Sequence, residues 1–324
     1  MNKTKLTIVG VILIAVIVTA AFFTTQLPKK TVAALPVRVV DDIGRAITLS
    51  SYPNRIVSLA PSCTEILFAL GLENRIVGSV SYDGYPQDIQ NWLTANNVSV
   101  VGNFGQVSIE EIKSLQPDLV LGTGGYQDPT AQALESLGIN VMTLSPIGFK
   151  GVLNDIALVG NATGKISEQR TLVANLTSSA AAIVDKVQEL NKTSVYVEYY
   201  FDSTGFGSYG GSSFVNDLIS MAGGINVFAG WQGQYVTTSS EVIVSANPQI
   251  IIISNGIMSS LAGLTPQVVI QRPGWNEIRA IQNNRIYLVN EDLITLGGPD
   301  VIYGLEDLAQ IIHPEVFGTY NATG

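Results

Sequence analysis

The chain has one cysteine and one histidine, Cys63 and His313. A single cysteine excludes an intrachain disulfide, and a single histidine excludes a metal site built on two imidazoles. Charge is scarce as well: Asp, Glu, Lys and Arg make up 13% of the residues, where soluble domains carry about 25%. Basic residues are the scarcer kind. Four of the 17 (Lys3, Lys5, Lys29, Lys30) stand in the first 30 residues, all 26 acidic residues stand after them, and the remainder has a net charge of −13. This argues against nucleic acid as a partner, because phosphate contacts need clustered Lys and Arg. Catalytic patterns are missing too. Ser62-Cys63 has no His near it, so nucleophilic catalysis would have to use His313 at the far end of the chain. Gly122-Thr123-Gly124-Gly125 is not followed by the helix and Lys of a phosphate loop. No catalytic residue, cofactor or resident metal is expected, and the chain reads as a protein other than an enzyme.

What is present is hydrophobic sequence, 46% of 324 residues, enough for two domains of ordinary size. Residues 6–23 form an 18-residue run without charge, the length of a minimal membrane span. Lys3 and Lys5 before it place the amino terminus inside and the body outside. An uncleaved anchor fits the length of the run. A signal peptide cut at Val32-Ala33-Ala34 is the other reading, although that site lies nine residues past the run. No Cys stands near the end of the run, so a lipid on a leading Cys is excluded.

The body says nearly the same thing twice. Ser108 to Leu121 and Ser240 to Ile253 each contain a Glu (Glu110, Glu241), a short helical stretch, a Pro seven residues after that Glu, and an apolar strand. Two similar halves imply two lobes with a cleft between them, where small ligands bind. Short apolar strands alternating with helical segments predict an α/β fold with parallel central sheets flanked by helices. Ser62 with Glu65 reads as a capping box. Residues 166–190 hold no Pro or Gly and carry an apolar stripe through Leu172, Val173, Leu176, Ala180, Ile183, Val184, Val187 and Leu190. The predicted organisation is therefore a membrane anchor or signal segment at 1–34, an amino-terminal Rossmann-like lobe at 35–164, one bridging helix at 165–192 and a carboxyl-terminal lobe at 193–324.

Ligand contacts in such sheets come from loops after the carboxyl ends of strands, and here those loops are aromatic. Tyr82, Tyr85, Phe104, Tyr126, Phe206, Trp231 and Tyr235 are the candidates. Rings beside glycine suit a large, partly apolar ligand with few fixed charges. Core packing is the competing reading for each ring.

Arg55-Ile56-Val57-Ser58-Leu59-Ala60-Pro61-Ser62-Cys63-Thr64-Glu65, Val101-Gly102-Asn103-Phe104, Leu115-Gln116-Pro117-Asp118, Ala222-Gly223-Gly224-Ile225-Asn226 and Arg272-Pro273-Gly274-Trp275 stand in an ordered series. With them the chain resembles the solute-binding proteins of ABC importers for cobalamin and iron chelates, over about residues 36–317. The resemblance implies two α/β lobes bridged by one helix, and a monomer that captures a chelate and passes it to a membrane permease. It also gives Glu110 and Glu241 a role, docking onto permease arginines. The competing reading of both is a negative charge in the first turn of a helix. Siderophore binders of this kind often supply Arg near the last strand, where this chain has Gly297-Gly298-Pro299-Asp300. A corrinoid is therefore expected ahead of a ferric siderophore or haem. An anchored sensor subunit and an extracellular enzyme are the rival classes.

Overall fold

The computed structural model describes residues 36–82 and 86–321. The predicted membrane segment (residues 6–23) and Tyr85 lie outside the described residues. Among those described, no helix is long and apolar enough to cross a membrane.

The body opens on an antiparallel hairpin, β1 (Val37–Val40) with β2 (Ala46–Leu49). The first sheet follows: β3 (Ile56–Ser58), β4 (Ile76–Ser81), β5 (Ser99–Asn103), β6 (Gln106–Val107), β7 (Leu119–Thr123) and β8 (Val141–Leu144). Its spatial order is β6-β5-β4-β3-β7-β8, parallel except for the short β6. Strands β3, β7 and β8 are buried runs rather than alternating ones, as expected where helices cover both faces.

The second sheet departs from the expected all-parallel pattern. It comprises β9 (Thr193–Asp202), β10 (Gly205–Tyr209), β11 (Gly224–Asn226), β12 (Tyr235–Thr238), β13 (Ile250–Asn255) and β14 (Ile286–Asn290). β11, β13 and β14 run parallel to their partners, but β9–β10 and β10–β12 are antiparallel. The reason is local. Only Ser203 and Thr204 separate β9 from β10, and a two-residue link can close only a hairpin. Asp202 Oδ1 accepts from the Thr204 N–H at 2.7 Å, holding that turn.

The duplicated segments take one backbone path. Each is a short helix (Ile109–Ser114; Ser240–Ala246), a left-handed residue just before proline (Gln116, φ 47°; Asn247, φ 45°), and then an interior strand, β7 or β13. The predicted cap at Ser62 is not made. The helix spans Pro61–Ala69 with Ala60 at its N-cap, because proline's fixed φ suits the first helical position. Glu65 is left inside.

The long helix ends at Val187, three residues before the predicted Leu190. It buries Leu176, Ala180, Ile183 and Val187 on one face, at the spacing of an amphipathic helix. That face joins one continuous apolar core with Ile156 and Val159 of the helix Gly148–Thr163 and Leu305 and Leu308 of the helix Val301–Ile312. The same core takes in Leu121 of β7 and Ile252 of β13, so both sheets lean on it.

Candidate functional site: a cleft lined from both sheets

Two adjoining cavities open where the carboxyl ends of β4, β5, β7 and β8 face β10, β12 and the ends of β13 and β14. One, of about 330 Å³, is lined by Thr123, Gly124 and Ser145–Gly148 from the first half, and by Tyr209, Ser212, Gln234, Tyr235 and Leu296 from the second. The other, of about 910 Å³, lies between Ser81, Tyr82 and Asn103 on one side and Asn255, Ile257, Leu261, Glu291 and Asp292 on the other. Phe104 lines both, so they form one cleft.

The structure gathers Tyr82, Phe104 and Tyr235 on this cleft, as the sequence reading expects. Tyr82 follows β4 and donates its hydroxyl to Asp292 Oδ1, a contact from one half to the other. Phe104 stacks on Tyr126 with centroids 6.3 Å apart. Tyr126 lies outside both cavity walls and is solvent-exposed beside them. Tyr235 is 62% exposed, although Tyr199 and Tyr209 pack against its ring at 5.6 and 5.7 Å.

Phe206 and Trp231 are not brought to the cleft. Phe206 packs against Trp275 at 5.5 Å on the far side of its sheet, while Tyr209, three residues later, lines the cavity. Side chains alternate along a strand, so residues three apart face opposite sides. Trp231 lies against Phe228 at 4.9 Å, beside the loop leading to β12.

Sequence reasoning missed the acidic and aliphatic lining. Glu291 and Asp292 begin the short helix after β14, and both half-buried carboxylates face the larger cavity. Burial is the main reason that both carboxyls sit above their ordinary range. Beneath them Glu65 is pushed up to about 8, first by burial and then by Asp300 and Asp292. Tyr82 is held well above the usual phenol range by burial and by its bond to Asp292. Ile257 and Leu261, on the short helix after β13, expose apolar side chains at the mouth. Carboxyl-end position after β13 and β14 was the signal that would have found these residues; attention to aromatic rings passed over them. Among the described residues, no Lys, Arg or His lines either cavity.

Glu110 and Glu241 are both exposed, each in the first turn of its short helix. Ser239 donates its hydroxyl to Glu241 Oε2 at 2.6 Å and, with a backbone N–H, holds that carboxyl below its ordinary range.

Residues 56–293 match the family model described as periplasmic binding protein. The chain is 32% identical over 296 residues to an uncharacterised ABC transporter substrate-binding lipoprotein, YvrC, of Bacillus subtilis, covering 89% of each chain. It is 28% identical over 286 residues to a cobalamin-binding protein of Halobacterium salinarum, covering 86% of this chain and 75% of that one. Among solved structures, the periplasmic haem-binding protein RhuT of Roseiflexus sp. RS-1 is 26% identical, with a TM-score of 0.69 over 80% of this chain and 97% of the other. The vitamin B12-binding protein BtuF of Vibrio cholerae shares the fold at 21% identity, with a TM-score of 0.66 over 80% of this chain and 96% of that one. The chain belongs to the periplasmic binding protein family.

Proposed function

We propose that this member of the family captures a corrinoid in the cleft and delivers it to an ABC importer on the outer face of the cell membrane. The observation that carries the reading is the character of the cleft walls. They offer aromatic rings, aliphatic side chains and carboxylates, and among the described residues no cationic side chain. An anionic chelate held there would meet Glu291 and Asp292 with no basic group to answer it. A corrinoid, a large ring system whose edge bears neutral amides, meets those walls without that conflict. The cobalamin-binding relative supports the same ligand class. The haem-binding neighbour of like fold keeps haem as the second reading.

In this reading Tyr82, Phe104 and Tyr235 hold the ligand, and two lobes bridged by the helix Ile166–Val187 close over it without catalysing a reaction. The continuous core under both sheets supports a small closing motion. Glu110 and Glu241 dock onto a permease, each carboxylate presented at a helix start where it accepts Arg contacts from outside. The protein acts as a monomer, held at the membrane through residues 6–23.

Tryptophan and tyrosine fluorescence during titration with cobalamin, cobinamide, haem and ferric siderophores tests the ligand. Saturable quenching by a corrinoid at micromolar concentration or below is the expected result. Tight binding of haem or a ferric siderophore with no corrinoid response would overturn it. Charge reversal at both Glu110 and Glu241 should leave that titration unchanged and abolish uptake, and normal uptake would return both residues to helix-end charge balance.

A further inference from the structure

We propose that a third cavity, behind the cleft wall at Asp42 and Asp155, binds a hard divalent cation, with calcium the better fit. Asp155 stands on the helix Gly148–Thr163, 1% exposed. Apart from the facing carboxyl of Asp42, neither of its carboxylate oxygens has a hydrogen-bond partner among the described residues. A buried carboxylate in that condition is costly, and it implies a proton or a cation that protein groups do not supply.

What it faces is another carboxylate. Asp42, in the turn between β1 and β2, lies close enough to Asp155 for the two carboxyls to share a proton. Both line a cavity of about 370 Å³ together with Ser145 and Asn154. Every candidate ligand is oxygen: two carboxylates, an amide carbonyl and a hydroxyl. That donor set suits calcium or magnesium and disfavours softer metals. Calcium accepts irregular geometry and completes its shell with water, which the open cavity admits. Lys150 also borders the cavity but is solvent-exposed. The ion pairs found among the described residues involve other side chains.

Neighbouring Asp41 shows the contrast. Arg45 neutralises it at 2.7 Å, whereas Asp42 accepts the Ser145 N–H at 2.6 Å and has no ion-pair partner among the described residues. The segment Ser145–Ile147 borders both this cavity and the ligand cleft. A cation here would therefore brace one wall of the cleft. Counting His and Cys in the sequence speaks only to sites with nitrogen or sulfur ligands, so it missed this one.

Thermal melting of the full chain after chelator treatment, with and without millimolar calcium chloride, tests the site in wild type and in Asp155→Asn. Wild type should rise by about 3 °C or more, reversibly with chelator; Asp155→Asn should not respond. No rise in wild type would overturn the proposal in favour of a shared proton alone. An equal rise in Asp155→Asn would also overturn it, by placing the calcium elsewhere, such as at Glu291 and Asp292. Should Asp155→Asn not fold, calorimetric titration of wild type and Asp42→Asn with calcium separates the same outcomes.

Discussion

Glu198 on β9 and Glu65 on the helix Pro61–Ala69 are 0% and 9% exposed, yet only Glu198 has a cation beside it. Arg272 grips Glu198 with two hydrogen bonds, of 2.7 and 2.6 Å, and the Tyr196 hydroxyl adds a third at 2.9 Å. The guanidinium lies over the rings of Phe201, Phe206 and Trp275 at 4.8, 4.6 and 4.5 Å. Glu65 has other carboxylates near it instead, Asp300 and Asp292, and the backbone at Gly298 packs tightly on it, where an added Cβ would stand 2.0 Å from Oε2. A buried carboxylate answered by a fork of donors and three rings is part of the framework. One left among like charges is pushed toward its protonated form.

The largest test of this contrast removes the cation from the framework pair. Arg272→Ala leaves Glu198 buried and alone, and a loss of about 3–5 kcal/mol in denaturant unfolding is expected. A loss below about 1 kcal/mol would show that Glu198 takes up a proton as easily as Glu65 does. The next test works on the other member. The Glu65 pKa of about 8 lies above the ordinary 4.5. Between those values the folded protein holds a proton that the unfolded chain has released, so stability falls as pH rises from about 4.5 to about 8. Glu65→Gln should therefore stabilise by about 3 kcal/mol at pH 8, change little at pH 4.5, and flatten that part of the profile. Equal effects at both pH values would mean that the change acts through packing. A finer test is Arg272→Lys, which keeps the charge and loses the fork and the flat face, at a cost of about 1–2 kcal/mol. The smallest is Trp275→Phe. It deletes the indole N–H that donates to Ser240 Oγ at 2.7 Å, and a loss of about 1 kcal/mol is expected beyond any packing change.

The architecture was legible where local pattern decides it. The β1–β2 hairpin, the buried runs of β3, β7 and β13 and the stripe on the long helix could all be read from residue order. So could the duplicated segment, although the left-handed turn at Gln116 could not, because Gln has no marked preference for that conformation whereas Asn247 does. The antiparallel strands of the second sheet escaped notice because Ser203-Thr204 carries none of the usual hairpin glycine or asparagine. Of the candidate rings, Tyr82, Phe104 and Tyr235 lie on the cleft walls. Phe206 lies on the face of β10 opposite Tyr209, because side chains alternate along a strand. Arg272 stood out only as part of the Arg272-Pro273-Gly274-Trp275 motif, since nothing in the sequence pairs it with Glu198, 74 positions away.

The two-residue link between β9 and β10 also bears on the order of assembly. It lets part of the second sheet form from neighbours in sequence, while β3 must find β4 and β7 across intervening helices. Local pairings form sooner than distant ones. In refolding, amide protons of β9 and β10 should gain protection from exchange before those of β3, and the reverse order in pulse labelling would refute this. The second sheet would then begin from its antiparallel side rather than from its parallel one.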